Sequence, residues 1–299
     1  MAGADRFETH VLMRDDGAEI RLRVARNDGR PRLVLSHGNG FAIGGYRVFW
    51  SLLAQDFELA LYDLRNHGAN PLGDLATHNV AAMAADHVAA RKALDDVFGA
   101  RPTIGVFHSI SSIAAIMAAR DHGAVWDALA LIDPPLTAPE GHPLREASGK
   151  LDAKLAELAR GRPHHFDDPA QLAAQFSARL GRGWAPGAAQ DMAAAVTRPA
   201  ADGGFELSCP GAYEAQIYED NARTPSFEAL GAMRQPTFVI GADPDVERPM
   251  PPALVGPAAA RAHGLSHDVV PGTSHMLQIE KPAETADILR RRLSALGFG

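Results

Sequence analysis

Apolar and polar positions alternate near the start of the chain, in Phe7–Leu12 and Glu19–Ala25, on either side of Asp15-Asp16-Gly17. This period of two residues predicts an antiparallel β-hairpin. Continuously apolar stretches occur later in the chain, and each of them predicts a short buried strand. These stretches are Arg32–Ser36, Phe57–Tyr62, Thr103–Phe107, Ala128–Ile132, Thr237–Ile240 and His267–Val270.

Segments between these strands have apolar residues at helical spacing. Val80–Phe98 is the longest of them, and Gly99 ends it. Tyr46–Leu53 and Pro282–Leu296 predict further helices. Strands that alternate with helices predict an α/β fold, with a mostly parallel eight-stranded sheet flanked by helices. Ligands of such sheets bind at the carboxyl ends of the strands, so the polar residues there are the candidates for chemistry.

One long segment, residues 136–235, interrupts this alternation. It is rich in alanine and helical in pattern, with breaks at Gly161-Arg162-Pro163, Gly181-Arg182-Gly183 and Asp202-Gly203-Gly204. We interpret it as a helical cap inserted between two strands of a core made of residues 1–135 and 236–299. A segment inserted at that point must lie over an edge or the carboxyl end of the sheet, so we expect it to cover the active site.

Composition excludes several classes of function. The net charge is −7 and the pI about 6.0, which disfavours nucleic acid and membranes as partners. Cys209 is the single cysteine, so no internal disulfide is predicted. Met1–Phe7 is too polar for a signal peptide, and no apolar run has the roughly 18 residues of a membrane span. We therefore expect a cytoplasmic protein, and leave its oligomeric state open, with a homodimer as one option.

The candidate nucleophile is Ser109, because the stretch Thr103–Ile113 has the pattern of a strand, a sharp turn and a helix. A serine at such a turn exposes its hydroxyl, and the next backbone N–H lies at a helix N-terminus, where it can stabilise an oxyanion. The usual motif is Gly-x-Ser-x-Gly, whereas Phe107 and Ser111 occupy the glycine positions here. The alternative is a serine that only caps the helix.

Other motifs compete with this interpretation. Gly38, Gly40 and Gly44 follow a strand but miss the spacing of a dinucleotide-binding loop by one residue. The segment His164–Asp168 contains metal-ligating residue types, yet adjacent histidines rarely bind one ion without further ligands. The sequence therefore predicts neither a cofactor nor a metal site.

Five motifs follow the predicted strands in a fixed order. They are His37-Gly38, Asp63-Leu64-Arg65-Asn66-His67-Gly68, His108-Ser109, Gly241-Ala242-Asp243 and Pro271-Gly272-Thr273-Ser274-His275-Met276. With them the chain resembles the α/β-hydrolase superfamily over nearly its whole length, in its serine esterase-like branch with a helical cap. The resemblance implies Ser109 as nucleophile, Asp243 as acid and His275 as base. It also implies an oxyanion hole formed by the backbone N–H groups of Asn39 and Ile110.

The acid has alternatives within the sequence. Asp243 is preferred because it precedes Pro244 directly after a strand. Asp245 lies two residues further into the loop, and Asp133 also ends a strand next to the predicted nucleophile turn.

The predicted chemistry is acyl transfer to water, with an ester, lactone or thioester of small to medium size as substrate. A serine hydroxyl is a poor nucleophile at neutral pH, so an imidazole must accept its proton and a carboxylate must orient the imidazole. The same residues are compatible with C–C bond hydrolysis, perhydrolysis or lyase chemistry. A ligand receptor without catalysis is the other class, which Phe107 in place of glycine keeps open.

Overall fold

The computed structural model describes residues 7–179 and 183–299. Most of the predicted break at Gly181-Arg182-Gly183 lies outside the described residues, as do all but the last residue of the polar stretch Met1–Phe7.

Eight strands form the main sheet, in the order β1-β2-β4-β3-β5-β6-β10-β11. They are β1 Glu8–Met13, β2 Glu19–Ala25, β3 Arg32–Ser36, β4 Glu58–Leu61, β5 Thr103–His108, β6 Ala128–Ile132, β10 Thr237–Gly241 and β11 Ser266–Val269. β2 pairs in antiparallel fashion with β1 and β4, and the other pairings are parallel. The predicted α/β fold with an eight-stranded, mostly parallel sheet is confirmed.

Helices cover both faces of the sheet, because the buried strands are apolar on both sides. One face packs against α1 (Arg47–Leu53), α10 (Leu277–Glu280) and α11 (Pro282–Ala295). The other face packs against α2 (Val80–Phe98), α3 (Ile110–His122) and α9 (Pro251–Ala262). Alternate residues of one strand reach opposite layers, as Leu33 and Val34 of β3 do.

The predicted insertion contains both helices and a small sheet. Its described elements are α4 Arg145–Arg160, β7 His165–Phe166, α5 Pro169–Arg179, α6 Ala188–Val196, β8 Thr197–Pro199, β9 Phe205–Leu207, α7 Gly211–Asn221 and α8 Ser226–Ala229. The three short strands form an antiparallel sheet in the order β7-β9-β8, which the helical pattern did not predict. The helices α4 and α7 pack against each other.

The strand order decides where polar loops meet. β3, β5, β6 and β10 are consecutive neighbours with parallel directions. Their carboxyl ends therefore lie side by side at one edge of the sheet, and the loops after them converge there.

Candidate active site

Ser109 lies in the sharp turn between β5 and α3. Its φ is 56° and its ψ is −125°, a conformation that a residue with a Cβ adopts only at a cost of about 1–3 kcal/mol. Its backbone N–H donates to the carbonyl oxygen of Ile132 at 2.9 Å. The side chain is 8% exposed. The sheet and the helix therefore hold the hydroxyl at the carboxyl end of β5.

Phe107 fits the turn because a glycine precedes it by two residues. Gly105 and Phe107 lie on the same face of β5, and a Cβ added to Gly105 would lie 2.4 Å from Cε2 of Phe107. The ring of Phe107 packs against His87 and Trp126, at centroid distances of 4.3 and 5.3 Å. The missing glycine of the motif is thus compensated by Gly105.

The second glycine position of the motif is occupied by Ser111. Its hydroxyl donates to the carbonyl oxygen of His108 at 2.8 Å and accepts from the N–H of His108 at 3.0 Å. These two hydrogen bonds stabilise the turn from within.

His275 lies between a hydroxyl and a carboxylate. Its Nε2 is 2.9 Å from Oγ of Ser109, and its Nδ1 is 2.6 Å from Oδ2 of Asp133. A carboxylate can only accept, so Nδ1–H donates to Asp133 and Nε2 is left to accept the proton of Ser109. The tautomer of His275 that a general base requires is therefore the one that Asp133 selects.

Asp133 directly follows β6 and is almost completely buried, with 1% exposure. Its Oδ1 accepts from the N–H of Ala242 at 3.0 Å, and its own N–H donates to the carbonyl oxygen of Ile240 at 2.8 Å. Its φ of 40° is left-handed. The loop after β10 therefore orients the carboxylate so that its other oxygen faces His275.

The sequence predicted that Asp243 holds His275, but the structure places Asp133 at the imidazole instead. The carboxylate of Asp243 accepts from the N–H of Gly272 at 2.6 Å and of Asp245 at 2.8 Å, and these bonds lower its pKa. Asp243 thus braces the loop that carries His275 instead of touching the imidazole. Asp245 is exposed. The physical reason is that β6 and β10 end side by side, so either strand could supply the acid, and the loop after β10 turns towards Gly272.

A second histidine, His108, supports His275 from its backbone. Nε2–H of His108 donates to the carbonyl oxygen of His275 at 2.8 Å, and Nδ1 accepts from the hydroxyl of Tyr46 at 2.8 Å. The Tyr46 hydroxyl accepts in turn from the N–H of Gly38 at 3.2 Å. Burial holds the pKa of His108 well below its ordinary value, so the ring is neutral beside His275. The sequence predicted no role for either His108 or Tyr46. The one available signal was the position of His108 directly before Ser109.

The predicted oxyanion donors, Asn39 and Ile110, both line the cavity that contains Ser109. Ile110 is the first residue of α3, where an N–H group has no partner within the helix. Within the described residues, the N–H groups of Asn39 and Ile110 make no hydrogen bond. Both groups are therefore free to donate to a ligand.

The loop of Asn39 is held by contacts on both sides. The Asn39 side chain donates to the carbonyl oxygen of Glu214 at 2.8 Å, and the N–H of Gly40 donates to Nε2 of His67 at 3.2 Å. Gly40 has a φ of 72°, and a Cβ there would lie 2.5 Å from Cδ of Glu214. Only glycine fits between this loop and α7.

The turn Asp63–Gly68 is a structural element. Asp63 accepts from the N–H groups of Ile43 at 2.7 Å and Ala69 at 3.0 Å. Arg65 forms an ion pair with Asp86 at 2.7 Å. Through His67 and Gly40 the turn supports the oxyanion loop.

Two clusters contain metal-ligating residue types. His67, His78 and Cys209 lie close together, but Nδ1 of His67 donates to the carbonyl oxygen of Arg65 at 2.9 Å while its Nε2 accepts from Gly40. The other cluster is His164, His165 and Glu206. Glu206 also pairs with Arg198 at 2.7 Å. A metal at either place would compete with these interactions.

The cavity above Ser109 has a volume of about 690 Å³, the size of a pocket for a small organic molecule. Its walls come from the loops of the core and from α4, α5 and α7 of the insertion. The apolar lining residues include Phe41, Leu151, Leu155, Phe166, Leu172, Phe176, Met250 and Met276. No helix within the described ranges is long and apolar enough to cross a bilayer.

A family model described as the alpha/beta hydrolase family matches residues 33–288. The chain belongs to the alpha/beta hydrolase family. No curated protein matches its sequence.

Several solved structures are similar to this alpha/beta hydrolase over nearly the whole chain. E-2-(acetamidomethylene)succinate hydrolase has a TM-score of 0.78 at 18% identity, with 96% of this chain and 99% of that chain covered. A thioesterase domain from the curacin biosynthetic pathway has a TM-score of 0.72 at 19% identity, with 95% and 99% covered. A thermophilic esterase from Thermogutta terrifontis has a TM-score of 0.69 at 21% identity, with 97% and 99% covered. At these identities the likeness shows the shared fold.

Proposed function

We propose that this alpha/beta hydrolase is a serine hydrolase that cleaves the carboxylic ester or thioester of a small to medium substrate through an acyl-enzyme on Ser109. The observation that carries the proposal is the continuous hydrogen-bonded chain from Ser109 through His275 to Asp133, with distances of 2.9 and 2.6 Å. A serine that only caps a helix would need neither a histidine nor a carboxylate beside its hydroxyl group.

In the proposed reaction, Oγ of Ser109 attacks the substrate carbonyl carbon while Nε2 of His275 accepts the hydroxyl proton. Asp133 holds the imidazole in position and stabilises the imidazolium without accepting the proton itself. His275 then gives the proton to the departing alcohol or thiol. A water molecule releases the acyl group from Ser109 by the same steps, with His275 again as base.

The developing oxyanion would be stabilised by the free N–H groups of Asn39 and Ile110. Ile110 lies at the N-terminus of α3, where the helix dipole adds to the effect. His108 and Tyr46 support this arrangement, because their chain of hydrogen bonds joins the backbone of His275 to Gly38, next to Asn39.

We propose that residues 136–235 act as a cap that selects the substrate. The helices α4, α5 and α7 supply much of the wall of the cavity above Ser109. The similar structures named as an esterase and a thioesterase domain are consistent with acyl transfer. Their low identity to this chain leaves the acyl group to be determined by experiment.

Labelling with a fluorophosphonate tests the nucleophile, and a panel of p-nitrophenyl esters and thioesters tests the reaction. We expect one covalent label per chain on Ser109 and none in Ser109→Ala, with a loss of kcat on the order of 10⁴- to 10⁶-fold. Ser111→Ala, which changes the neighbouring serine, should still be labelled. Labelling that persists in Ser109→Ala, or hydrolysis unaffected by that substitution, would contradict the proposal.

A further inference from the structure

A buried carboxylate, Asp152 of α4, lies in the wall of the catalytic cavity. Its side chain is 7% exposed, and the cavity that it lines also contains Ser109 and His275. Its one hydrogen bond among the described residues comes from Nδ2 of Asn221 on α7, 3.2 Å from Oδ2. Oδ1 of Asp152 therefore has no hydrogen-bond partner among the described residues.

Asn221 lines the same cavity and is 2% exposed. Its Nδ2 also donates to the carbonyl oxygen of Pro135 at 3.1 Å, which fixes the orientation of the amide. Its Oδ1 is buried, and within the described residues it has no hydrogen-bond partner. Because this oxygen has almost no accessible surface, Asn221 orients the carboxylate of Asp152 and does not offer a second acceptor to a ligand.

The other buried carboxylates near the site have cationic or imidazole partners. Glu214, which also lines the cavity, forms an ion pair with Arg162, and Asp133 bonds to His275. Asp152 has no cation within ion-pair distance in the described part of the chain, and its one side-chain partner there is Asn221. Burial raises its pKa to about 7. Other titratable groups that line the cavity are Tyr218 of α7, which is half-buried, and Lys154 and Glu157, which are exposed.

We propose that Asp152, oriented by Asn221, is an acceptor subsite that binds a hydrogen-bond donor of the substrate, and that a primary ammonium group binds there most tightly. The proposal rests on the proposed function, since it assigns the substrate as an ester or thioester with an amino group away from the scissile bond. Oδ1 of Asp152, which has no partner among the described residues, can accept an N–H of the ammonium group, and the carboxylate supplies the opposite charge. A hydroxyl group would supply the hydrogen bond without the charge, and a methyl group would supply neither.

Calorimetric binding of linear alkylamines and of alcohols of equal length tests the subsite without any reaction. We expect the amine to bind more tightly than the alcohol to the wild-type protein, by a factor on the order of 10 to 100, as for a hydrogen bond to a charged group. Asp152→Asn keeps the shape and the bond to Asn221, and should remove most of this preference. Glu157→Gln, which removes a carboxylate from the exposed rim of the same helix, should keep it.

Equal binding of amine and alcohol to the wild-type protein would overturn the proposal, whatever the variants do. A preference that survives in Asp152→Asn but is lost in Glu157→Gln would also overturn it, because the rim would then be responsible. A purely structural bond between α4 and α7 predicts a lower melting temperature for Asp152→Asn and no change in selectivity.

The second arm uses p-nitrophenyl esters with a terminal amino, hydroxyl or methyl group over a ladder of chain lengths. We expect kcat/KM to favour the amino ester at one length, and to lose that preference in Asp152→Asn. If all esters are cleaved equally, the subsite is wrong while the proposed function stands. If amines bind selectively but no ester is cleaved, the proposed function is wrong and the subsite stands.

Discussion

Ser109 and Asp133 share an uncommon backbone conformation. Both have positive φ, 56° and 40°, although neither is glycine. They follow neighbouring strands, and the N–H of Ser109 donates to the carbonyl of Ile132, the residue before Asp133. Residues in such conformations cluster at functional sites, because the surrounding structure must compensate for the strain. Here the two strained turns support each other.

Replacement of Asp133 tests the role of the acid. Asp133→Asn keeps the shape but removes the charge and favours the wrong tautomer of His275, so we expect kcat to fall by roughly 10⁴-fold. Asp243→Asn is the matched control, since within the described residues its carboxylate bonds to the backbone N–H groups of Gly272 and Asp245 and not to His275. Kinetics of both variants with one activated ester provides the measurement. A severe loss in Asp243→Asn together with near-normal turnover in Asp133→Asn would restore the first assignment.

The sequence predicted Ser109 because it stands at the turn between a strand and a helix, whereas Ser111 belongs to the helix. His275 is the single histidine of the loop after the last strand. The acid was different, since aspartates follow both β6 and β10. The Asp243-Pro244 pair directly after a strand favoured Asp243, but the choice depends on which loop turns towards the imidazole. That direction is set by long-range hydrogen bonds, such as the one from Ala242 to Asp133, which no local pattern records.

At the level of single elements, β5 combines a glycine with a large ring on one face. Gly105 makes the space that Phe107 fills, and Leu129 of β6 closes it from the side. The strand therefore tolerates an aromatic residue just before the nucleophile turn.

Gly105→Ala should destabilise the protein by about 1–3 kcal/mol, because the new Cβ would lie 2.4 Å from Phe107 and 2.8 Å from Leu129. Adding Phe107→Leu should recover part of the loss, which a double-mutant cycle of urea denaturation would measure. Gly149→Ala is the control, since that helical position has open space around it and the change should be neutral or stabilising. Additive effects of the two β5 substitutions would contradict the account.

Element boundaries were predictable where the pattern was long. Val80–Phe98 and Ala128–Ile132 match α2 and β6 at both ends, since each has clear periodicity and a defined stop. The strands β7, β8 and β9 were missed because they span only two or three residues each. A period of two residues cannot be recognised over so short a length.

Several histidines in different parts of the molecule are buried and neutral. Burial lowers the pKa of His37 to about 4, of His67 and His87 to about 3, and of His78 to about 2. Most of them hold loops around the site, as His37 does by accepting from the N–H of Leu64 at 3.0 Å. The protein therefore depends on the neutral state of these rings.

Stability should fall as the pH drops below about 6.5. The pKa values of these rings in the folded protein lie below the ordinary value of about 6.5, so the unfolded chain binds more protons below that pH. Each ring then costs roughly 1.4 kcal/mol of stability per pH unit. Urea denaturation at pH about 7.5 and about 5.5 measures the difference. Asp152 has the opposite effect on stability, because its raised pKa of about 7 makes the folded protein bind a proton that the unfolded chain does not. It is one group against several histidines.

Variants identify the source of this acid sensitivity. His87→Gln cannot titrate, so the difference in stability between the two pH values should be smaller than in the wild type. His122→Gln, at an exposed position, should leave it unchanged. An equal effect of both substitutions would show that burial is not the cause.

The position of Asp133 directly after β6 also bears on how such a protein can change through descent. The proposed nucleophile and acid lie on one short stretch of chain, separated by α3 and β6, and the predicted insertion comes after them. A recombination event that replaces the chain from residue 136 onwards would keep the pair intact, and the incoming segment would have to supply a base at the place of His275. Lineages with this arrangement could exchange the walls of the cavity while they inherit the nucleophile and its acid as one unit.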